Sequence, residues 1–174
     1  MGSLVAELGA LLKARQAFLA VAESCTGGLL AKRLTDVAGS SDWFERGLVT
    51  YSNRSKQELL GVGPDLLAQS GAVSRECCEA MARGLLVMTP ADWGLAVTGI
   101  AGPGGGSPEK PVGLVWFGWA QRHGAVEVES RQFGGTREDI RAAATEAALQ
   151  GLLERLVGAA PPTEELGGRH GRDC

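Results

Sequence analysis

The chain has 174 residues, of which 44% are hydrophobic and 21% charged, and its formal net charge is −3. This composition is ordinary for a single globular domain and argues against nucleic acid as the main partner, because phosphate-backbone binding needs a concentrated basic patch. No apolar run reaches the ~18 residues that span a bilayer, and the N-terminus lacks the basic start of a signal peptide, so no membrane association is expected.

The pattern of the first half predicts alternating helices and strands. In chain order it indicates a helix from Leu4 to about Arg15, a strand from Phe18 to Ala22, a helix from Leu29 that stops at Gly39, and a strand from Trp43 to Tyr51. Next come a helix capped by Ser52 or Asn53, a short helix from the turn at Gly63 to Gln69, and a helix begun at Ser74 with Met81, Leu85 and Met88 on one face.

The second half predicts a strand from Trp93 to Thr98, a loop from Gly99 to Pro108, and a hairpin of Val112–Gln121 and Ala125–Phe133 joined at His123-Gly124. A last helix runs from about Arg137 to Val157. The expected fold is α/β, a three-layer α/β/α sandwich on a mixed sheet. Residues 1–158 would form the domain, and the Pro/Gly-rich tail 159–174 is predicted to be disordered.

Four cysteines, at 25, 77, 78 and 174, form no CxxC pair, so neither a disulfide framework nor a zinc site is indicated. Reduced thiols in a cytoplasmic protein are the simplest interpretation. The chain also contains only two histidines, His123 in the hairpin turn and His170 in the tail. Neither is placed near the candidate nucleophile discussed next, so a Ser-His-Asp triad is not expected.

Ser24 follows the first predicted strand and precedes a helix, in the segment Ala22-Glu23-Ser24-Cys25-Thr26-Gly27-Gly28. Backbone N–H groups at a helix start can stabilise an oxyanion, and glycines let a substrate approach the backbone closely. The same turn also suits phosphate binding or a plain N-cap. Cys25 is an alternative nucleophile, although a small buried filler is the more ordinary role for it.

A serine nucleophile needs a base, and without a placed histidine the remaining types are carboxylate, tyrosine and lysine. The single tyrosine, Tyr51, stands five residues before Lys56 in Tyr51-Ser52-Asn53-Arg54-Ser55-Lys56. A lysine base must be neutral, which requires burial or a nearby cation. A solvated helix lysine fits the spacing equally well.

Two further segments could contact a ligand. The glycine loop (residues 99–107) has neither the dinucleotide-binding fingerprint nor a Walker A sequence, but it could form an anion nest or a lid. Arg137 and Arg141 lie four residues apart and would share one face of the last helix. Their guanidinium groups suit a phosphate or carboxylate, or ion pairs with neighbouring acids.

These segments together resemble the CinA C-terminal domain family. The resemblance is carried by Ala22–Gly28, Tyr51-Ser52-Asn53-x-x-Lys56, Val97–Gly105, Val112-Gly113 and Phe133-Gly134-Gly135-x-Arg137-x-x-Ile140-Arg141, in this order. It covers roughly residues 4 to 157. Thr136 departs from the pattern, because the family commonly has Asp before the first arginine of the last motif. The chain also lacks the N-terminal pyrophosphatase-like domain of larger CinA proteins, so it resembles the stand-alone amidase form.

The resemblance implies hydrolysis of nicotinamide mononucleotide to nicotinate mononucleotide and ammonia, without metal or cofactor, by a homodimer or higher homo-oligomer. It implies Ser24 as nucleophile, Lys56 as base and Tyr51 close to the pair. The implied oxyanion and substrate contacts are Cys25, Thr26, Gly27, Gly28, Thr98, Gly99, Gly102, Gly104, Gly105, Arg137 and Arg141. Three alternatives stay open: a non-catalytic nucleotide-binding or regulatory module, an amidase of a different substrate, and a purely structural domain.

Overall fold

The structure is a computed structural model that describes residues 4–159, so the predicted tail lies, from residue 160 onward, outside the described residues. The elements are α1 (Leu4–Ala14), β1 (Leu19–Glu23), α2 (Leu29–Thr35), a 3₁₀ turn (Ser40–Asp42), β2 (Phe44–Val49), α3 (Asn53–Leu60), α4 (Pro64–Ser70), α5 (Arg75–Met88), β3 (Trp93–Gly99), β4 (Leu114–Gln121), β5 (Val126–Gln132) and α6 (Arg137–Gly158). None of these helices is long and apolar enough to cross a membrane.

The strands form one mixed sheet in the order β2-β1-β3-β4-β5. β1 is parallel to both β2 and β3, whereas β3, β4 and β5 are joined antiparallel. Because β1, β2 and β3 run in the same direction, the segments that follow them meet at one edge of the sheet. The predicted strands, the hairpin at His123-Gly124 and the mixed α/β fold class are confirmed.

Helices cover both faces of the sheet. Leu19 and Val21 of β1 pack in the cluster formed with α1, α2 and α6, whereas Ala20 and Ala22 pack in the cluster formed with α3, α4 and α5. This alternation follows from the period-two geometry of a strand, and burial on both faces explains why β1 is a continuous apolar run. The result is the predicted three-layer sandwich.

Two details of the predicted elements are wrong. α2 ends at Thr35 rather than at Gly39, because the Thr35 hydroxyl donates to the Ala31 and Lys32 carbonyls and the chain then enters the 3₁₀ turn. Met88 is 53% exposed, whereas Met81 and Leu85 of the same helix are fully buried. Met88 is the last residue of α5, where the helix leaves the core. Helical spacing predicts which face a residue lies on, but not where the helix leaves the core, so the prediction for Met88 was wrong.

The contact between α3 and α5 depends on Gly84. A Cβ atom at this position would overlap the carbonyl oxygen of Leu60, the last residue of α3. The two helices therefore approach more closely than any other residue type at position 84 would allow. The same packing fixes where α3 lies relative to β1.

Candidate active site

An open cleft of about 290 Å³ lies at the edge of the sheet where β1, β2 and β3 end. It is bordered by the turn after β1 (the Ser24 turn, residues 24–28), by the segment between β2 and α3, by the residues before α5, and by the glycine loop after β3. Its lining residues are Ser24, Cys25, Tyr51, Lys56, Ala72, Val73, Thr98, Gly99, Ile100, Ala101, Gly102, Gly104, Gly105 and Arg137.

Ser24 and Lys56 meet at the floor of this cleft. The Ser24 N–H donates to the Val97 carbonyl at 2.9 Å, which extends the pairing of β1 with β3 by one residue and fixes the serine. Lys56 lies on α3, whose start is capped by the Ser52 hydroxyl. Its Nζ lies 3.0 Å from Ser24 Oγ, a hydrogen-bonding distance that fits a nucleophile and its base.

Lys56 is 1% exposed, and burial lowers the pKa of its amine from the ordinary value of 10.5. Nζ also donates to the Thr50 carbonyl at 2.7 Å. A neutral amine that donates one hydrogen to Thr50 keeps its lone pair for the proton of Ser24 Oγ. Position and burial therefore both favour the base form of this lysine.

Cys25 lies beside Ser24 but is poorly suited to be the nucleophile. Burial raises the pKa of its thiol to about 11, an effect that its own N–H and the guanidinium of Arg141 only partly offset. A thiol in this environment stays protonated at neutral pH, and the thiolate is the reactive form. The geometry supports the more ordinary role of Cys25 as a buried filler.

The backbone of the Ser24 turn is held by Glu23. This residue is fully buried, and its carboxylate accepts hydrogen bonds from the N–H groups of Gly28, Leu30 and Ala31 at 2.9, 3.1 and 2.9 Å. The N–H of Gly27 donates to the Ser24 carbonyl. Most N–H groups at the start of α2 are thus occupied within the protein, so those of Gly27 and Gly28 are not free to receive an oxyanion.

Arg141 contacts the same turn from α6. Its Nε donates to the Cys25 carbonyl at 3.1 Å and its Nη2 to the Thr26 carbonyl at 2.8 Å. A Cβ at position 27, where φ is +57°, would also come within 3.3 Å of Nη2. Arg141 is therefore engaged with main-chain carbonyls and is not part of the cleft lining.

Arg137, one helical turn earlier, reaches the mouth of the cleft instead. Its Nη1 donates to the Gly102 carbonyl and its Nη2 to the Tyr51 hydroxyl, each at 2.8 Å. Tyr51 is 58% exposed and, within residues 4–159, makes no hydrogen bond to Ser24 or Lys56. Thr136 accepts from the Asp139 N–H and completes a capping box, so it caps the helix that carries Arg137.

The remaining predicted contacts lie along the glycine loop. Gly99, Gly102, Gly104 and Gly105 all border the cleft. Thr98 is buried, and its hydroxyl donates to the Ala72 carbonyl at 2.8 Å, which holds the segment before α5 against β3. The lining includes the guanidinium of Arg137 and no acidic side chain, although the whole chain is net negative. The cleft thus favours an anionic ligand.

Residues 4–159 contain no group of three or more His, Cys, Asp or Glu side chains arranged to hold a metal ion. Sequence reasoning assigned no role to Glu23 or to the Thr50 carbonyl, nor to Ala72 and Val73 in the lining. Of these, only the role of Glu23 could have been predicted from the sequence. An acidic residue between an apolar strand and a helix start is well placed to accept hydrogen bonds from the main-chain N–H groups of that helix. The other three act through backbone or small apolar groups and leave no such signal.

Comparisons with known proteins show which family the chain resembles. The family model described as the CinA C-terminal domain matches residues 1–156. A curated protein named nicotinamide-nucleotide amidohydrolase PncC, from Enterobacter agglomerans, is 53% identical over 151 residues, which are 87% of this chain and 92% of that protein. A putative competence-damage inducible protein from Moorella thermoacetica is 56% identical over 85% of this chain but only 36% of its own length. The crystal structure of a competence/damage-inducible protein from Agrobacterium tumefaciens matches with a TM-score of 0.85 and 45% identity, covering 87% of this chain and 92% of that one.

Proposed function

The chain belongs to the CinA C-terminal domain family, and we propose that it is an amidohydrolase that converts nicotinamide mononucleotide to nicotinate mononucleotide and ammonia. The observation that carries the proposed chemistry is the 3.0 Å approach of the buried Lys56 amine to Ser24 Oγ. The substrate comes from the similarity to the amidohydrolase of Enterobacter agglomerans, of which this chain covers nearly the full length.

In the proposed first step, neutral Lys56 takes the proton of Ser24 as Oγ attacks the carboxamide carbon. The tetrahedral intermediate carries its negative charge on the former carbonyl oxygen. Collapse of the intermediate breaks the C–N bond, and Lys56 gives its proton to the departing nitrogen, which leaves as ammonia. The nicotinoyl group remains as an ester on Ser24.

In the second step, water attacks the ester carbon while Lys56 takes one of its protons. Collapse of this intermediate breaks the ester C–O bond, Lys56 returns its proton to Ser24 Oγ, and the product acid becomes the carboxylate by losing its remaining proton to solvent. Two features support this cycle: Lys56 is shielded from solvent, and its hydrogen bond to the Thr50 carbonyl orients the lone pair. No other base lies within hydrogen-bond reach of Ser24 Oγ among the described side chains.

The phosphate of the substrate is assigned to the mouth of the cleft. Arg137 is the exposed cation there, and its guanidinium has the fork geometry that suits phosphate oxygens. The glycine loop would then cover the ribose and the pyridine ring. Because no acidic side chain lines the cleft, binding of the dianionic phosphate meets no like charge there.

The cellular setting is proposed from sequence and family resemblance together. We place the protein in the cytoplasm as a homodimer or higher homo-oligomer, with residues 1–158 as the catalytic domain and without nucleic acid or membrane as a partner. Size-exclusion chromatography with light scattering tests the oligomeric state directly, and a monomer at micromolar concentration would contradict this part of the proposal.

The decisive experiment measures ammonia release from nicotinamide mononucleotide by the wild type and by Ser24→Ala. We expect release by the wild type and a kcat lower by several orders of magnitude in the variant. Cys25→Ala is the matched control and should keep most of the activity. If Cys25→Ala is inactive and Ser24→Ala is active, the nucleophile is Cys25. If the wild type binds nicotinamide mononucleotide tightly but releases no ammonia, the protein is a non-catalytic module.

A further inference from the structure

We propose that residues 70–73 form a fixed apolar wall of the cleft against which the flat ring of the substrate lies, and that Thr98 and Lys110 are positioning residues that hold this wall. The proposal rests on the proposed function and adds which part of the site recognises the ring. Ala72 and Val73 of the wall line the same cleft as Ser24, so a ring bound against them shares the cleft with the nucleophile.

Three consecutive carbonyls of the wall each accept a hydrogen bond from a side chain. The acceptor and donor pairs are Ser70 with Lys110 Nζ at 2.6 Å, Gly71 with the Ser74 hydroxyl at 2.9 Å, and Ala72 with the Thr98 hydroxyl at 2.8 Å. The donors belong to three separate parts of the fold, which are the segment before β4, the start of α5 and β3. Because these carbonyls are already paired, the wall offers a ligand chiefly its apolar side chains.

Thr98 and Lys110 lie on either side of the glycine loop, one residue before its start and three residues after its end. Lys110 is itself held by Ser107, because the Lys110 N–H donates to the Ser107 hydroxyl at 3.1 Å and the Ser107 N–H donates to the Lys110 carbonyl at 2.8 Å. Both ends of the loop therefore contact the wall, and these contacts fix the wall relative to the loop.

The wall and the start of the glycine loop supply the aliphatic part of the cleft lining. Ala72 and Val73 come from the wall, and Ile100 and Ala101 come from the loop. A flat heteroaromatic ring buries its apolar faces well against such groups, while a polar substituent on the ring can turn towards a few polar side chains. A pyridine carboxamide has this character, with the carboxamide as the group that Ser24 attacks.

The test compares two reagents that sulfonylate serine nucleophiles: pyridine-3-sulfonyl fluoride, which carries the flat ring, and methanesulfonyl fluoride, which has no ring. With either reagent Ser24 Oγ forms a bond to sulfur, the S–F bond breaks, fluoride leaves and Lys56 takes the hydroxyl proton. Mass spectrometry of the protein gives both labelling rates. The ratio of the pyridine rate to the methane rate reports recognition of the ring, because a less reactive Ser24 slows both reagents alike.

In Ala72→Leu, three added carbon atoms occupy space that the ring needs, and we expect this ratio to fall roughly tenfold or more. Ala68→Leu is the matched control, because Ala68 is exposed on α4 and does not line the cleft. It should keep the wild-type ratio. An unchanged ratio in Ala72→Leu, or an equal fall in both variants, would overturn the proposal.

Thr98→Val and Lys110→Met each remove one donor to the wall and keep a side chain of similar size. The ratio should fall about threefold to tenfold in each, as for loss of one hydrogen bond. Thr98→Ser keeps the hydroxyl and should keep the wild-type ratio. A merely structural role would slow both reagents equally, so unchanged ratios in Thr98→Val and Lys110→Met would refute their role as positioning residues.

Ammonia release from nicotinamide mononucleotide decides the proposed function separately. A wild type that is labelled at Ser24 but releases no ammonia would refute that function alone, while the ratios of labelling rates still decide the role of the wall. A wild type that neither reagent labels at Ser24 would overturn both.

Discussion

At the floor of the cleft, Ser24 and Lys56 are fixed by main-chain contacts inside the core, whereas at its mouth Tyr51 and Arg137 meet through one hydrogen bond between exposed side chains. The floor is built from the ends of a buried strand and a capped helix. The mouth is built from a loop, a helix start and solvent-facing groups. Under the proposed function, bond cleavage would take place at the buried floor, and substrate capture at the exposed mouth.

The largest effect is expected at the floor, from Lys56→Arg and Lys56→Met. Guanidinium cannot act as a base and a thioether has no proton to exchange, so each should lower kcat by about 10⁴-fold or more. The measurement is ammonia release under saturating substrate. Lys32→Arg, an exposed lysine paired with Asp36, is the control and should be unaffected. Comparable activity of Lys56→Arg and wild type would remove Lys56 from the reaction.

The pH profile tests the same part of the site. Burial lowers the pKa of Lys56, so at any given pH a larger fraction of it is neutral than for a solvated lysine. Activity should rise with pH, by up to about tenfold per pH unit, and level off at a pH below the ordinary lysine pKa of 10.5. The profile of kcat/KM measures this limb. If the pH at which kcat/KM reaches half of its maximum is the same in Arg137→Gln and in the wild type, the titrating group lies at the floor of the cleft. A shift of this pH in Arg137→Gln would mean that Arg137 affects the titration.

At the mouth, Arg137→Gln should mainly weaken binding. Loss of a charge-assisted contact to phosphate is expected to raise KM for the mononucleotide about 10- to 100-fold, with kcat changed only a few fold. Steady-state kinetics separate the two constants. Arg54→Gln, an exposed arginine on α3 paired with Glu58, serves as the control. If Arg137→Gln lowered kcat as much as Lys56→Arg does, Arg137 would take part in the reaction itself, and the floor and the mouth would not differ in function.

Tyr51→Phe should have the smallest effect, a few-fold rise in KM. The ring stays, and only the hydroxyl that accepts from Arg137 is lost. Because the two residues share this bond, the double variant with Arg137→Gln should be less than additive. A kcat decrease of 100-fold or more in Tyr51→Phe would instead mean that Tyr51 takes part in proton transfer at the floor.

The sequence anticipated the floor better than the mouth. An apolar strand followed by Ser24 and two glycines predicts a strand–turn–helix unit. The capped helix with Lys56 can likewise be predicted from neighbouring residues in the sequence. That these two units meet depends on sheet order, which local patterns do not encode, so the pairing of Ser24 with Lys56 came from family resemblance.

The arginines show the limit of spacing arguments. Arg137 and Arg141 share a helix face, as their four-residue separation predicts, yet one reaches the mouth and the other the carbonyls of the Ser24 turn. The two arginines have different partners because different main-chain carbonyl groups lie opposite successive turns of α6. Glu23 was overlooked for a related reason: its partners are backbone N–H groups, which every residue has and no sequence pattern marks.

Gly84 does not line the cleft, yet its missing side chain lets α5 pack closely against the end of α3, the helix that carries Lys56. A methyl group there would push the end of α3 outward, and Lys56 would move with it, away from Ser24. A screen for inactive but folded variants should therefore recover substitutions at position 84 together with substitutions at Ser24 and Lys56. In such a variant both reactive groups would remain, and catalysis would fail because the gap between them had widened.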